Sequence, residues 1–292
     1  MLIKQSELIL NPDGSVYHLN LKPENVAATI IFVGDQDRVE KITKYFDSIE
    51  CTIQKREFKT QTGRYKGKRI SVISTGIGPD NIDIVLNELD ALFNIDLKTR
   101  QVKETLRSID IIRIGTSGSL QKDIPVDSFV LSEYSLDLNG LLHSYKNEHI
   151  SNPEIENAFI LQTNWSQNKS KPLIIKASNK LKKSFKSDKT HLGLTATAGG
   201  FYGPQGRVLR LEIQDPELNQ KMDSFNFKGI KITNLEMETS AIYGLSKLLG
   251  HHALSLNAII ANRADGTFSK KPSQVVRDLI IYTLNKIVEQ TD

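Results

Sequence analysis

The chain has 292 residues, 39% hydrophobic and 25% charged, with a formal net charge of +4. This composition suits a folded globular protein whose core needs no covalent staple, and a single cysteine, Cys51, rules out an intrachain disulfide and fits a reducing compartment. The N-terminal MLIKQSELIL lacks the apolar stretch of a secretory signal and no apolar run reaches the roughly 18 residues of a membrane span, so a cytoplasmic chain without membrane contact is expected.

Short β-branched runs alternate along the chain with helical periodicities. Thr29–Val33 runs into Gly34 and reads as a buried strand. Gly63–Lys68 (GRYKGK) is one residue short of a Walker phosphate loop and is followed by Arg69 rather than Ser or Thr; it reads as a hairpin turn. Ile70–Ile73 is the next strand, ending in Ser74-Thr75-Gly76. Ile82, Val85, Leu86, Leu89, Leu92 and Phe93 then repeat at helical spacing. Asn94–Ser108 is polar and helix-prone and reads as an insertion.

Further strands are expected at Ile109–Ile114 before Gly115, at Leu192–Thr195, and at Leu254–Ala261 before Asn262-Arg263. Met237, Ala241, Leu245 and Leu248 mark a helix, and Pro272-Ser273 opens another carrying Val276, Leu279, Ile280, Thr283, Leu284 and Ile287. Near-continuous apolar strands are those buried on both faces. Their alternation with helices predicts an α/β chain, one domain over residues 1–292. The architecture expected is a three-layer α/β/α sandwich around a mixed, mostly parallel sheet. Ligands of such folds gather where strands end.

Several chemistries lack their residues. Lys169–Lys189 holds eight lysines but only Phe185 as an aromatic, so it reads as solvated surface and no nucleic-acid partner is expected. Gly76-Ile77-Gly78 has Asn81 where a dinucleotide loop needs its third glycine. Gly115-Thr116-Ser117-Gly118 has the wrong spacing for a nucleophile elbow. The six histidines form no ligand cluster, and His251 and His252, being adjacent, cannot share one face, so no metal is expected.

Four strand-end segments remain. In Val33–Val39, glycine bares backbone N–H groups at a helix mouth with Arg38 one turn inside, a recipe for an oxyanion; Asp37 as a plain helix cap and Arg38 as a surface charge is the alternative. In Arg113–Gly118, an arginine sits inside the apolar run IDIIRIG, where its charge must be answered. Either a core carboxylate answers it, or a bound anion does. In Asn234–Glu238, two carboxylates flank Met237 at a helix start; they complement the helix dipole or accept from the vicinal hydroxyls of a sugar. Phe201–Arg207 is a Gly-Pro turn whose Phe201 could pack on a flat ring, with Gln205 and Arg207 offering an amide and a guanidinium to a base edge.

These segments resemble, in order, the uridine phosphorylase branch of the nucleoside phosphorylase family. The matching pieces are VYHLNL (Val16–Leu21), VGDQDRVEKI (Val33–Ile42), REF (Arg56–Phe58), STGIG (Ser74–Gly78), RIGTSG (Arg113–Gly118), FYGPQGR (Phe201–Arg207), LEMETSA (Leu235–Ala241) and ANR (Ala261–Arg263), spread over residues 16–290. The resemblance implies a phosphate site of Gly34, Arg38, Arg113 and Thr116, with Arg56 lent by a neighbouring subunit. It implies a ribose site of Thr116, Glu236, Met237 and Glu238, with His18 reaching across the subunit interface, and a base site of Ser117, Gly118, Phe201, Gln205, Arg207 and Arg263. Arg113, Gln205, Arg207 and Glu238 would carry the chemistry, with inorganic phosphate as co-substrate and no cofactor. Arg263 stands where purine-specific relatives tend to have an aspartate, though Asp265 follows two residues later. Val33 and Gln36 replace prolines common in the phosphate loop, Gly199-Gly200 replaces a more polar pair, and Pro79-Asp80-Asn81 replaces a Gly-Pro-Ser.

The expected activity is phosphorolysis of uridine, with deoxyuridine and thymidine as further candidates, in a self-associating chain. A purine phosphorylase, a nucleosidase and a non-catalytic nucleoside-binding protein are the alternatives. A nucleosidase should not need Arg38, Arg56 and Arg113 together, and a binding-only chain should show a degraded site.

Overall fold

The computed structural model describes residues 2–290. In chain order these form β1 (Thr29–Val33), α1 (Gln36–Thr43), β2 (Ser48–Lys55), β3 (Phe58–Tyr65), β4 (Lys68–Ser74), α2 (Pro79–Asn94), β5 (Ile95–Asp96), β6 (Gln101–Val102), β7 (Asp110–Ser119), β8 (Phe129–Asp137), α3 (Pro153–Thr163), β9 (Leu173–Lys176), α4 (Asn179–Phe185), β10 (Thr190–Thr197), α5 (Leu218–Ser224), β11 (Asn226–Phe227), β12 (Ile230–Glu236), α6 (Thr239–Leu248), β13 (His252–Asn262), β14 (Thr267–Phe268) and α7 (Pro272–Val288). The strands expected from apolar runs correspond to β1, β4, β7, β10 and β13, with Ile109 falling just before β7, and the three expected helices are α2, α6 and α7, with Met237 falling before α6. No helix among the described residues is long and apolar enough to cross a membrane.

One mixed sheet of 12 strands organises the molecule. β4, β1, β7 and β13 run parallel to one another in that order, as do β8, β10 and β12. All five residues of β1 are buried, so both its faces are covered, which is why its sequence shows no alternation. The main core gathers Ile31, Val72, Ile112 and Leu254 from these strands with Leu86, Ile242 and Leu279 from α2, α6 and α7. Fully burying each such side chain is worth about 1.5–3 kcal/mol. A smaller core packs Phe159, Met222 and Phe225 of the α3 and α5 region against Leu194 and Ile232.

Two antiparallel contacts change the shape of this sheet. β8 pairs with β13 as well as with β10, and β12 pairs with both β10 and the end of β7. Strands β7, β13, β8, β10 and β12 therefore close into a ring. The carboxyl ends of its strands carry Thr116, Thr197, Glu236 and Asn262, and there the candidate site lies.

The expected hairpin turn is present: Tyr65 pairs with Lys68, and Lys66 and Gly67 both take positive φ, 49° and 81°. Two left-handed residues match the right-handed twist of the flanking strands. The insertion departs from its helix-prone reading. It is a small hairpin, Ile95 opposite Val102 and Asp96 opposite Gln101. Asp96 Oδ1 accepts from the N–H groups of Lys98 (2.9 Å) and Thr99 (3.0 Å), and Asn94 Oδ1 accepts from Arg107 N–H at 2.7 Å. Short Asp and Asn side chains thus capture backbone donors that a helix would need.

Candidate functional site

The loop after β1 forms the first wall. Asp35 caps α1, its carboxylate accepting from Asp37 N–H at 3.0 Å, so the cap is Asp35 and not Asp37. A Cβ on Gly34 would stand 3.5 Å from Gly76 O, which brings the β1 and β4 loops side by side. Arg38 turns inward from α1, and its Nη1 donates to Ile114 O on β7 at 3.2 Å. Burial, and then the charge of Arg113, push its guanidinium below the usual range.

Arg113 is buried on β7, and its charge is answered by carboxylates. Nη2 donates to Glu238 Oε2 at 2.5 Å and lies 3.1 Å from Glu236 Oε2; Nη1 donates to Asn257 Oδ1 at 2.8 Å. The guanidinium folds back along its own strand over residue 115, where a Cβ would stand 1.9 Å from Nη1. Gly115 is therefore glycine because the arginine occupies its side-chain space. The two glutamates differ. Glu236 is spent on structure, accepting from Thr197 Oγ1 (2.6 Å) and from the N–H groups of Glu238 (2.9 Å) and Thr239 (2.9 Å) at the start of α6. Among the described residues Glu238 accepts only from Arg113 and, through Oε1, from Gly78 N–H at 2.9 Å. Desolvation raises its pKa, and Arg113 opposes that rise. Met237 is half-buried between the two.

Thr116, Ser117 and Gly118 continue β7 beyond Arg113. Ser117 is buried and its Oγ accepts from Asn234 Nδ2 at 2.9 Å. The stem of Arg263 lies over Gly118, where a Cβ would make ordinary contact with Arg263 Cγ and Cδ at 3.5 Å.

The Phe201–Arg207 turn is assembled from its own parts. Arg207 stacks on Phe201 with Cζ 3.8 Å from the ring centroid, and its Nη1 donates to Phe201 O and Gln205 Oε1, both at 2.6 Å. Gln205 is buried, while Phe201 is 51% exposed. Arg263 reaches in from the end of β13, Nη2 donating to Gln205 O at 2.8 Å. Burial and the Arg207 charge push the Arg263 guanidinium down to about 10, which leaves it charged at neutral pH. Asp265 is exposed and accepts from Thr267 N–H (2.9 Å) and hydroxyl (2.6 Å), holding its own turn. Beside Arg207 a cavity of about 950 Å³ opens, lined by Trp165, Tyr202, Leu209, Ile213 and Leu218 among others, but not by Arg38, Arg113 or Glu238.

His18 and Arg56 sit together beside the Tyr17 ring. His18 Nδ1 lies 2.7 Å from Glu88 Oε1, its ring meets Tyr17 edge-on at 4.9 Å, and Arg56 lies over the same Tyr17 ring at 6.0 Å. Arg56 occupies the β2–β3 turn with φ 55°, its carbonyl held by Gln36 Nε2 at 2.7 Å. No hydrogen bond or ion pair joins either side chain to Arg113, Glu238 or Gln205 among the described residues.

The fold thus joins Arg38, Arg113, Glu236 and Glu238 into one cluster, and Phe201, Gln205, Arg207 and Arg263 into another. Sequence reasoning missed Asn257, Thr197 and Gly78, which hold the arginine and the two carboxylates. Asn257 carries one legible sign, an amide inside the apolar run LSLNAII. No group of three or more His, Cys, Asp or Glu able to hold a metal occurs among the described residues.

Known proteins place this arrangement in a family. The model of the phosphorylase superfamily matches residues 28–289. A uridine phosphorylase of Thermococcus kodakarensis is 29% identical over 265 residues, covering 88% of this chain and 81% of the relative. A DeoD-type purine nucleoside phosphorylase of Colwellia psychrerythraea is 26% identical over 275 residues, 93% of this chain and 98% of the relative. Among solved structures, a Trypanosoma brucei nucleoside phosphorylase described as showing uridine phosphorylase activity superposes with a TM-score of 0.87 at 29% identity, covering 97% of this chain and 100% of that one. The chain belongs to the phosphorylase superfamily.

Proposed function

We propose that this chain is a pentosyltransferase that cleaves uridine with inorganic phosphate, giving uracil and ribose 1-phosphate, without a cofactor. The observation that carries the reading is the pair of inward-facing arginines, Arg38 and Arg113, close enough for one charge to depress the other's pKa, beside a carboxylate with spare acceptor capacity. A phosphate between two guanidiniums relieves that repulsion, and Glu238 can take a ribose hydroxyl.

Charge counting supports a shared site. Arg38 and Arg113 are matched by Glu236 and Glu238 within the protomer, so a phosphate dianion needs a further cation. Arg56, exposed on a turn with His18 nearby, fits the role of a cation lent to a neighbouring subunit. Phosphate then lies under C1′, which makes its attack effectively intramolecular. As the bond from C1′ to the base nitrogen breaks, its electron pair leaves with uracil. A phosphate oxygen bonds to C1′ through an oxocarbenium-like state, and the proton that the hydrogen phosphate gives up passes to uracil. The charge gathering on the base is met by Arg207 and Gln205 once they leave their mutual contact.

A pyrimidine fits better than a purine because Arg263 is drawn onto Gln205, whereas Asp265 is turned to solvent and occupied by Thr267. Incubating the protein with uridine, with and without phosphate, tests the reading. Uracil release should require phosphate; phosphate-independent release would replace phosphorolysis with hydrolysis, and a preference for inosine would overturn the base.

A further inference from the structure

The ring of strands that holds Arg113 is polar inside, and its polar groups form a circuit. Arg113 Nη1 on β7 donates to Asn257 Oδ1 on β13 at 2.8 Å; Asn257 Nδ2 reaches Ser132 Oγ on β8 at 3.4 Å; Ser132 Oγ and Thr195 Oγ1 on β10 are 2.5 Å apart. Thr195 Oγ1 donates to Asn234 Oδ1 on β12 at 2.8 Å, and Asn234 Nδ2 donates to Ser117 Oγ at 2.9 Å, back on β7. Every member is buried, and each step crosses one strand pairing of the closed ring.

The direction of every bond follows from the arginine. A guanidinium only donates, so Asn257 must present its oxygen to Arg113 and its NH₂ to Ser132. Ser132 accepts there, so its single proton goes to Thr195. Thr195 spends its proton on Asn234 Oδ1, which also accepts from Thr233 Oγ1 at 2.9 Å. Asn234 is left facing Ser117 with its NH₂. Ser117 Oγ therefore accepts from inside, and its own proton meets no protein acceptor among the described residues.

We propose that Asn257, Ser132, Thr195 and Asn234 are positioning residues that relay the donor polarity of Arg113 around the ring and leave the Ser117 hydroxyl as a donor to the bound nucleoside. Specificity at the base end is then tied to the arginine at the phosphate end, with no contact between the two. The inference rests on the proposed placement of a nucleoside beside Ser117. Chains of buried hydrogen bonds polarise one another, and mutant cycles are the clean way to apportion them.

Asn234→Asp is the decisive variant, since it keeps shape while replacing the NH₂ facing Ser117 with an acceptor. The Ser117 proton would then turn inward to the carboxylate. Nucleoside KM should rise about tenfold, the worth of one hydrogen bond of about 1.4 kcal/mol, while phosphate KM stays within about twofold. Ser117→Ala alone should give a similar rise, and adding Asn234→Asp to Ser117→Ala should raise nucleoside KM no further. Multiplying effects in the double variant would overturn the relay, as would an equal rise in both KM values. Thr195→Val, which removes one hydroxyl with little change of shape, gives the same reading if Asn234→Asp fails to fold. A wild-type chain that turns over no nucleoside would sink the proposed activity instead; nucleoside binding by calorimetry across the same variants still tests the relay.

Discussion

The two ends of the candidate site are built on opposite principles. Around Arg113 each polar group is buried and already paired: carboxylates fixed by backbone N–H groups, an amide fixed by the guanidinium, a glycine emptied to make room. Around Arg207 the pairs are made within one turn, on an exposed aromatic ring, beside a large cavity. The Arg113 end, the proposed phosphate site, is preorganised and contributes to stability; the Arg207 end, the proposed base site, is assembled at the surface and on that proposal exchanges its internal hydrogen bonds for substrate. On the proposed function, binding of phosphate is locked into the core, and choice of base is left to a segment that can change without unfolding the sheet.

Removing the arginine at each end should break this contrast most visibly. Arg113→Ala should lower kcat/KM at least about 10³-fold and cost about 3–5 kcal/mol of stability, because Glu236 and Glu238 would be left buried without a counter-charge. Arg207→Ala should lower kcat by about 10²–10³-fold yet leave the melting temperature within about 2 °C, since its side-chain partners, Phe201 and Gln205, lie within its own turn. Activity assays and thermal melts on the two variants check both. Equal losses of stability would show that the base end is as structural as the phosphate end.

Gly115→Ala sharpens the same contrast without deleting a charge. The new methyl would stand 1.9 Å from Arg113 Nη1 and 2.8 Å from Asn257 Oδ1, so the guanidinium must move. Phosphate KM should rise about tenfold with a stability loss of about 1–3 kcal/mol, the usual range for overpacking. An unchanged phosphate KM would mean that Arg113 does not touch phosphate.

How legible each end was in the sequence follows from the same physics. A charge in IDIIRIG is anomalous locally, so Arg113 could be singled out and its two possible partners named; the fold then supplied the carboxylates from the LEMETSA segment. The strands of the core were legible where, as in β1, both faces are buried and no alternation dilutes the apolar signal. The closing of β7, β13, β8, β10 and β12 into a ring was not, because the β7–β12 and β8–β13 contacts join segments more than 100 residues apart. The polar circuit inside that ring was hidden for the same reason. Ser132, Thr195 and Asn234 look like ordinary strand residues until closure brings them together. The Asn94–Ser108 hairpin was misread because its Asp and Asn capture backbone donors only once the turn has formed.

The smallest effect is expected at Asp265, where it bears on the choice of base. Its carboxylate is exposed, and its acceptors are taken by the N–H and hydroxyl of Thr267 two residues on. A group that protonates a purine nitrogen must face the base pocket and hold a proton near neutral pH. Asp265 does neither, because the Thr267 hydrogen bonds favour its ionised form and hold its pKa below the usual carboxylate value. Asp265→Ala should therefore change kcat/KM for uridine less than about threefold, within what a displaced surface turn does. The melting temperature should stay where it was, and any weak turnover of inosine should fall by no larger factor. A selective collapse of inosine turnover in that variant would put Asp265, rather than Arg263, in the base pocket, and would shift the preference of the exposed end from pyrimidine to purine while leaving the buried phosphate end as described.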